Sequence, residues 1–447
     1  EPVNPTHIER LSIEPDVDNS CLKLQINGKG DEQATADIKL TDRQGTIVAS
    51  LENAAINTPL TLPVASPHLW SPEDPYLYDL DITLSLNGEQ TDAVKSYCGM
   101  RKIEVKKVND IPRIFLNGKQ IFQMGPLDQG WWPDGLYTAP SDEALLFDVK
   151  EMKELGFNMI RKHIKVEPSR WYMHCDREGI LVWQDLPSPG LPAGHEAFAR
   201  QNFEEEAVRI IDAFENHPSI VQWVVFNEGW GQFDTERMTQ VVIDKVSPQS
   251  LVCCASGWND AEIGDIKDSH SYPYPSCPID QKRACVNGEY GGITLKVPGH
   301  IWPGGDFGYT TVETPEDFTV MFNDLADKIK DHYYYGLNAA VYTQLSDVEI
   351  EKNGIYTYDR RILKPYSPTG ELKDKILECI NMPQSDVKIQ PVVSTAKEHK
   401  YKWKFITEDN APRHWFAKGF DDSLWPKALP LKSSFAQKGV NNSAVCQ

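Results

Sequence analysis

The sequence predicts a multidomain chain with three parts. These are an N-terminal immunoglobulin-like β-sandwich over residues 1–107, a central (β/α)8 TIM barrel over 108–383, and the start of a further β-rich domain over 384–447, short or cut off. Three observations predict it. The length of 447 residues fits about three domains at roughly 150 residues each. Up to about residue 107 apolar residues recur at period two, with no helical spacing between. After residue 113 short apolar runs alternate with amphipathic segments that carry helix caps.

In the first part, Leu11-Ser-Ile-Glu and Cys21-Leu-Lys-Leu-Gln-Ile alternate as half-buried strands do. Tyr76-Leu-Tyr-Asp-Leu-Asp-Ile-Thr-Leu-Ser-Leu and Ile103-Glu-Val-Lys-Lys-Val continue the pattern. Asn27-Gly28 and Asn87-Gly88 read as hairpin turns. In the second part, apolar runs lie at Ile121–Met124, Phe157–Ile160, Ile180–Trp183, Ile220–Phe226, Leu251–Cys254, Ala284–Val286 and Ala339–Tyr342. Ser141 heads a helix whose Leu145, Leu146, Val149, Met152 and Leu155 share a face, and Gly156 stops it. Pro168 and Gly179 bracket the next, Phe203–Phe214 is a third, and Pro315–Tyr335 is the last before the final strand. Strands alternating with helices pair in parallel through right-handed crossovers, and a barrel of this kind typically takes about 250 residues. A doubly wound open sheet is the rival, weakened by the absence of a GxGxxG or P-loop at a first strand-to-helix turn. Beyond Pro383, Lys400–Ile406 alternates like a strand, and Phe420-Asp-Asp-Ser-Leu-Trp is a polar turn with an aromatic anchor.

Composition narrows the function classes. Against 45 Lys+Arg stand 65 Asp+Glu, a net charge of −20, with no basic stretch to meet a phosphate backbone, so no nucleic-acid partner is expected. No apolar run reaches the roughly 18 residues of a membrane helix, and no membrane association is expected. Nine cysteines, none in a CxxC, indicate neither a zinc framework nor a disulfide scaffold. The chain opens Glu-Pro-Val-Asn-Pro without Met, as after removal of a leader or from within a longer protein. The compartment stays open, periplasmic or secreted being slightly favoured over cytoplasmic, and so does assembly into a homo-oligomer.

Active sites of such barrels lie at the C-terminal ends of the strands. Those ends read Arg161 and His163, Asp185, Asn227-Glu228, Trp258, His270 and Tyr272, Glu289 and Gln344. Two deliver carboxylates from apolar runs: Glu228 after Ile220–Phe226, and Glu289 within Ala284-Cys-Val-Asn-Gly-Glu-Tyr-Gly-Gly. The glycines beside Glu289 would let a substrate or a backbone come close. On the fourth and seventh strands the pair would face one cavity. Carboxyls about 5–5.5 Å apart would hydrolyse a glycoside with retention, and about 6.5–9.5 Å with inversion. Either way one must hold a proton near neutral pH while the other is ionised.

These residues sit in a longer series of motifs. Trp70-Ser-Pro-Glu-Asp-Pro-Tyr-Leu-Tyr, Cys98-Gly-Met-Arg-Lys-Ile-Glu, Leu116-Asn-Gly-Lys, Leu155-Gly-Phe-Asn-Met-Ile-Arg, Cys175-Asp-Arg-Glu-Gly-Ile, Asn216-His-Pro-Ser-Ile and Phe226-Asn-Glu-Gly-Trp follow one another. Together they resemble glycoside hydrolase family 2, which includes β-galactosidases, β-glucuronidases and β-mannosidases. The resemblance implies that Glu228 is the general acid/base and Glu289 the nucleophile. It implies that Asn227 holds the sugar 2-hydroxyl, Tyr272 lies near the nucleophile and Arg161 supports it electrostatically. His163, His270 and Asp185 are sugar-contact candidates, the family's Arg-Thr-Ser-His-like stretch being one residue shorter here, at Arg161-Lys-His. Trp258 and Trp302, with Trp131-Trp132 behind them, are candidates for stacking on sugar faces.

The departures are specific. The family usually begins with a jelly-roll domain, and residue 1 falls where its second domain begins. The Asn-x-Lys-Gly with which β-glucuronidases read a carboxylate is replaced by Glu351-Lys-Asn-Gly, and the Trp that often ends the last strand by Tyr342-Thr-Gln344. The metal ligands of the large β-galactosidases have no counterpart, so no metal and no cofactor are expected. The resulting expectation is a retaining exo-β-glycosidase acting on a carbohydrate substrate, β-galactosidase-like first, a β-glucuronidase or other β-glycosidase of the family second. A non-catalytic carbohydrate-binding protein on a degenerate barrel is the alternative from another class.

Overall fold

The structure, a computed structural model, describes residues 2–188, 196–246 and 248–384, and the strands Trp403–Thr407, Lys427–Ala428 and Ala444–Cys446. Contacts divide the chain into Glu1–Ser385 and Asp386–Gln447. In the first unit seven antiparallel strands make a sandwich. His7–Asp16, Cys21–Lys29 and Pro59–Pro63 form one sheet, and Ile47–Ala55, Thr35–Thr41, Tyr78–Leu86 and Glu89–Cys98 the other. The alternation that predicted them fills the space between the sheets: Leu22, Leu24, Ile26, Ile38, Leu40, Leu80, Ile82 and Leu84 are buried in one cluster. Asn87-Gly88 makes the expected turn, with φ of 54° and 83°. Asn27-Gly28 does not. Both lie inside Cys21–Lys29, Gly28 opposite Ile8, and a Cβ on Gly28 would come within 2.7 Å of Ile56. The glycine there serves close packing, not chain reversal.

Ile103–Val108 also departs from expectation. It joins no sandwich sheet but pairs with Ile111–Leu116, which pairs with Lys119–Gln120. Its Ile103, with Ile114 and Leu116, packs among Leu127, Met159, Leu181, Trp183, Val224, Val286 and Val341 from the barrel strands.

The barrel strands are β1 (Gln123–Asp128), β2 (Met159–Lys162), β3 (Leu181–Asp185), β4 (Ile220–Asn227), β5 (Leu251–Ser256), β6 (Ile266–His270), β7 (Ala284–Gly291) and β8 (Leu337–Thr343). Parallel pairing runs β5-β4-β3-β2-β1-β8-β7-β6. The ring closes between β5 and β6 through the Asp265 amide donating to the Val252 carbonyl at 2.8 Å. The helices are α1 (Asp142–Glu154), α2 (Ser169–Glu178), α3 (Glu196–Phe214), α4 (Thr235–Val246), α5 (Pro315–Tyr335) and α6 (Glu371–Ile380). Ser141 caps α1 by accepting from the Ala144 amide, and Gly179 ends α2 at φ 75°. None of the described helices is long and apolar enough to cross a membrane. β6 alone was not legible as an apolar run. In the second unit, Trp403–Thr407 falls on the expected strand and pairs with Lys427–Ala428 and Ala444–Cys446. Phe420-Asp-Asp-Ser-Leu-Trp lies outside the described residues.

Sandwich and barrel share buried polar anchors. Arg101 donates to the carbonyls of Pro218 and Ile220, each at 2.6 Å, and to that of Gln249. Asp176 accepts from Tyr97 Oη at 2.7 Å and from the Ser219 amide at 2.8 Å. Arg101→Met would leave three carbonyls without that donor, at about 1–3 kcal/mol for each one left unsatisfied. We expect a net loss of about 3–5 kcal/mol, read as a lower denaturation midpoint in urea.

Candidate active site

Side chains from several strand ends meet two carboxylates. Glu289 comes from β7 and is 6% exposed. Glu228 follows β4 at φ 54°, its amide donating to the Ser256 carbonyl at 2.9 Å. One carboxylate oxygen from each and a ring nitrogen of His270 lie within 4.8 Å of one another. Two carboxylates and an imidazole so placed are also a donor set that a cation could use.

The two acids have different surroundings. Arg161, fully buried on β2, donates to Glu289 Oε1 at 3.4 Å. Tyr272 Oη donates to Glu289 Oε2 at 2.6 Å and meets Thr343 Oγ1 at 2.8 Å. Burial alone would push the Glu289 pKa up. The positive field of His270, His163 and Arg161 and the Tyr272 hydroxyl outweigh it and hold the carboxylate below its ordinary range. Burial, then the Glu289 charge, keep the Tyr272 phenol well above its ordinary pKa, so it stays a donor. Glu228 instead takes His270 Nδ1 at 2.7 Å and Trp230 Nε1 at 3.4 Å, with a fifth of its side chain exposed.

His270 links the pair. Its Nδ1 is 3.5 Å from Glu289 Oε2, and its Nε2 meets Ser256 Oγ at 2.8 Å, which in turn donates to Asp268 at 2.6 Å. Burial opposes the imidazolium, but Glu289, the bond to Glu228 and Asp268 together raise the His270 pKa above the ordinary imidazole value. With Ser256 already donating to Asp268, both ring nitrogens of His270 are then donors.

Each residue expected at this face has a definite place. Asp185 at the end of β3 accepts from Arg161 Nε at 3.1 Å and Nη2 at 2.9 Å, and from His163 Nδ1 at 2.9 Å. Asn227 Oδ1 accepts from Arg161 Nη2 at 2.8 Å. Trp258, half exposed, donates through Nε1 to the Glu228 carbonyl at 2.8 Å and lies edge-on to His270. Trp302 joins a different group: it packs edge-on to Tyr358, beside Trp131 and Trp132, the latter lying under the Arg360 guanidinium at 4.1 Å. No described hydrogen bond or ring contact ties Trp302 to either carboxylate. Its ring needs an apolar neighbour, and Tyr358 supplies one.

The glycines beside Glu289 fill a need other than substrate approach. A Cβ on Gly288 would stand 2.3 Å from Asp268 Oδ2, and one on Gly291 2.5 Å from the Tyr342 ring. Close packing of β7 against its neighbours requires them. Sequence reasoning missed Trp230, Asp268, Thr343 and Tyr309. Tyr309 stacks on Tyr272 with centroids 3.5 Å apart, and it comes from the long segment after β7, where no periodicity marks it.

Known proteins resemble this chain in sequence and in fold. The model described as Glycosyl hydrolases family 2 matches residues 6–101, and Glycosyl hydrolases family 2, TIM barrel domain, matches residues 107–377. The chain belongs to glycoside hydrolase family 2. Within that family it is 29% identical over 230 residues to a beta-galactosidase of Lactococcus lactis subsp. lactis, across 50% of this chain and 22% of that protein. It is 28% identical over 235 residues to a beta-glucuronidase of Bacteroides fragilis, across 48% of this chain and 32% of that protein. A beta-galactosidase of Clostridium acetobutylicum matches at 23% over 419 residues, across 83% and 46%. The chain thus spans less than half the length of these curated relatives. Among solved structures, an FMN-binding beta-glucuronidase from Facaelibacterium prausnitzii L2-6 superposes with TM-score 0.66 at 20% identity, covering 83% of this chain and 63% of that one. A GH2 beta-galacturonidase from Eisenbergiella tayi gives 0.66 at 17%, covering 84% and 73%. At such identities the likeness bears on the fold.

Proposed function

We propose that this family 2 chain is an exo-acting, retaining β-glycosidase, with a β-galactoside as the first substrate to try. Glu289 attacks the anomeric carbon while Glu228 protonates the departing oxygen. A covalent glycosyl-enzyme forms, and Glu228 then takes a proton from the water that releases the sugar. The observation that carries the reading is the pair of carboxylates with one oxygen from each within 4.8 Å, nearer the roughly 5–5.5 Å of a retaining pair than the roughly 6.5–9.5 Å of an inverting one. The low pKa of Glu289 supports its role as the ionised attacker. The His270 Nδ1 bond fixes Glu228 Oε1 and leaves Oε2, met by Trp230 Nε1 at 3.4 Å, to carry the proton. In this reading Asn227, held by Arg161, meets the 2-hydroxyl, and the half-exposed Trp258 ring meets a sugar face. The names of the curated β-galactosidase relatives support galactose as the first sugar.

Hydrolysis of an aryl β-galactoside followed by proton NMR is expected to show the β-hemiacetal first, then mutarotation to the α form. Initial release of the α anomer would overturn the double displacement. No turnover across aryl β-galactoside, β-glucoside, β-mannoside and β-glucuronide would overturn catalysis itself.

A further inference from the structure

We propose that Asp268 is a positioning residue for the acid/base: acting through Ser256 and His270, it decides which oxygen of Glu228 carries the proton. The inference rests on the glycosidase reading above and adds a buried residue to that same site.

Asp268 is 3% exposed in the middle of β6, and each of its oxygens accepts a hydrogen bond. Oδ1 takes the Gly288 amide at 2.6 Å, directly before Glu289, and Oδ2 takes Ser256 Oγ at 2.6 Å, at the end of β5. Ser256 gives its only hydroxyl proton to Asp268. At its 2.8 Å contact with His270 it can therefore only accept, and Nε2 must donate. The Ser256 carbonyl meanwhile accepts from the Glu228 amide at 2.9 Å. One serine thus holds the acid/base residue by its backbone and the histidine beside it by the ring. Gly288 is subject to the same packing, since a Cβ there would stand 2.3 Å from Asp268 Oδ2 and 2.6 Å from Ser256 Oγ.

The direction of these bonds bears on the proton of Glu228. With Nε2–H fixed, a neutral His270 would turn the lone pair of Nδ1 toward Glu228 Oε1, 2.7 Å away, and draw the acid's proton onto that oxygen. An imidazolium donates from Nδ1 to Oε1 instead and leaves the proton on Oε2. Glu289 on β7, Glu228 after β4 and Asp268 on β6 face the ring with negative charge and Arg161 on β2 with positive charge; against burial, the balance raises the His270 pKa. Facing Asp268 are His270, Arg161 and the Cys253 thiol on β5, which burial and then the Asp268 charge keep protonated. Burial pushes the Asp268 pKa up, and His270, Arg161 and the bonds from Ser256 and Gly288 oppose it. When Glu228 passes its proton to the departing oxygen, its O–H bond breaks and a carboxylate remains. An imidazolium stabilises that carboxylate more than a neutral ring N–H does.

The test uses the full chain with 15N-labelled histidine, in EDTA so that no cation occupies the site. His270, assigned by the signal missing from His270→Gln, is expected to titrate above the ordinary imidazole value. In Asp268→Asn the side-chain oxygen stays on the Gly288 amide, the new NH2 faces Ser256 Oγ, and Ser256 is freed to donate to Nε2. The His270 midpoint is then expected to fall by about one pH unit, and the neutral ring to carry its proton on Nδ1 instead of Nε2. On a methoxyphenyl glycoside kcat/KM is expected to fall about tenfold, the difference between a charged and a neutral donor. On the dinitrophenyl glycoside, which departs without a proton, the loss should stay below about twofold. Ser256→Ala keeps the charge and cuts the bond. It is expected to give smaller changes in the same directions, and it carries the test if a thermal melt shows the Asn variant unfolded. A His270 midpoint that the folded variants leave in place overturns the proposal, as does an equal loss on both glycosides, the mark of a merely structural role. Failure to turn over any aryl glycoside overturns the catalytic reading instead, and the midpoint and tautomer of His270 still decide the role of Asp268.

Discussion

Glu289→Ala is expected to lower kcat on an aryl β-galactoside by about four orders of magnitude or more, which is about 5.4 kcal/mol of transition-state stabilisation. No other described carboxylate combines a place at the strand ends with the support that Glu289 has from Arg161 and Tyr272. On the proposed mechanism, removing it removes the nucleophile and leaves no substitute. Glu228→Gln is expected to depend on the leaving group: kcat falls by about two orders or more for a poor one and less for a dinitrophenolate, which departs without a proton. Stopped-flow traces check the difference. The Glu228→Gln protein should release a burst of phenol and accumulate glycosyl-enzyme, because water is then not deprotonated, whereas the Glu289→Ala protein should show no burst. Azide added to each sharpens the assignment, giving a β-glycosyl azide from the first and an α-glycosyl azide from the second. Most of the activity surviving in either variant would sink the pairing.

The strand and helix order, the sandwich and the two acids were legible because each depends on local pattern. Glu228 and Glu289 follow runs whose every residue is buried, and the fourth and seventh positions in the strand count put them on one cavity. β6 was not legible because Ile266-Lys-Asp-Ser-His is polar: its buried Asp268 is satisfied by Ser256 Oγ and, at 2.6 Å, by the Gly288 amide, partners that only the closed ring supplies. Asn27-Gly28 misled for a related reason, since a glycine chosen for a tight contact with Ile56 looks in sequence like one chosen for a turn. The boundary strand Ile103–Val108 alternates like a sandwich strand, but its partner, only three residues downstream, turns it to the barrel. Trp302 illustrates the limit of composition: a tryptophan near a barrel mouth serves packing or sugar equally well until its neighbours are known. The partners of Arg161 come from three other strands, at sequence separations of 24 to 128, and no local periodicity encodes them.

Arg161 is accordingly where the second large effect is expected. It is the cation that ties Asp185, Asn227 and Glu289 together, so its replacement acts on position and charge at once. Arg161→Lys keeps the charge but cannot reproduce a planar fork with five donors, and kcat/KM is expected to fall by about 100- to 1000-fold, near 3–4 kcal/mol. Arg161→Met removes the charge as well. The sign for Glu289 follows directly: the Arg161 field lowers its pKa, so losing that field raises it. The acidic limb of kcat/KM, where the free enzyme's nucleophile takes up a proton, should then move to higher pH in Arg161→Met and move less in Arg161→Lys. The native protein should keep that limb below the ordinary carboxylate range, since burial is outweighed there by His270, His163, Arg161 and Tyr272. Because Asp185 loses its main partner in the Met variant, folding must be measured alongside, and the Lys variant carries the test if the Met variant melts. An acidic limb that stays in place in both folded variants would mean that Arg161 only holds the barrel together and that the nucleophile's charge is set elsewhere.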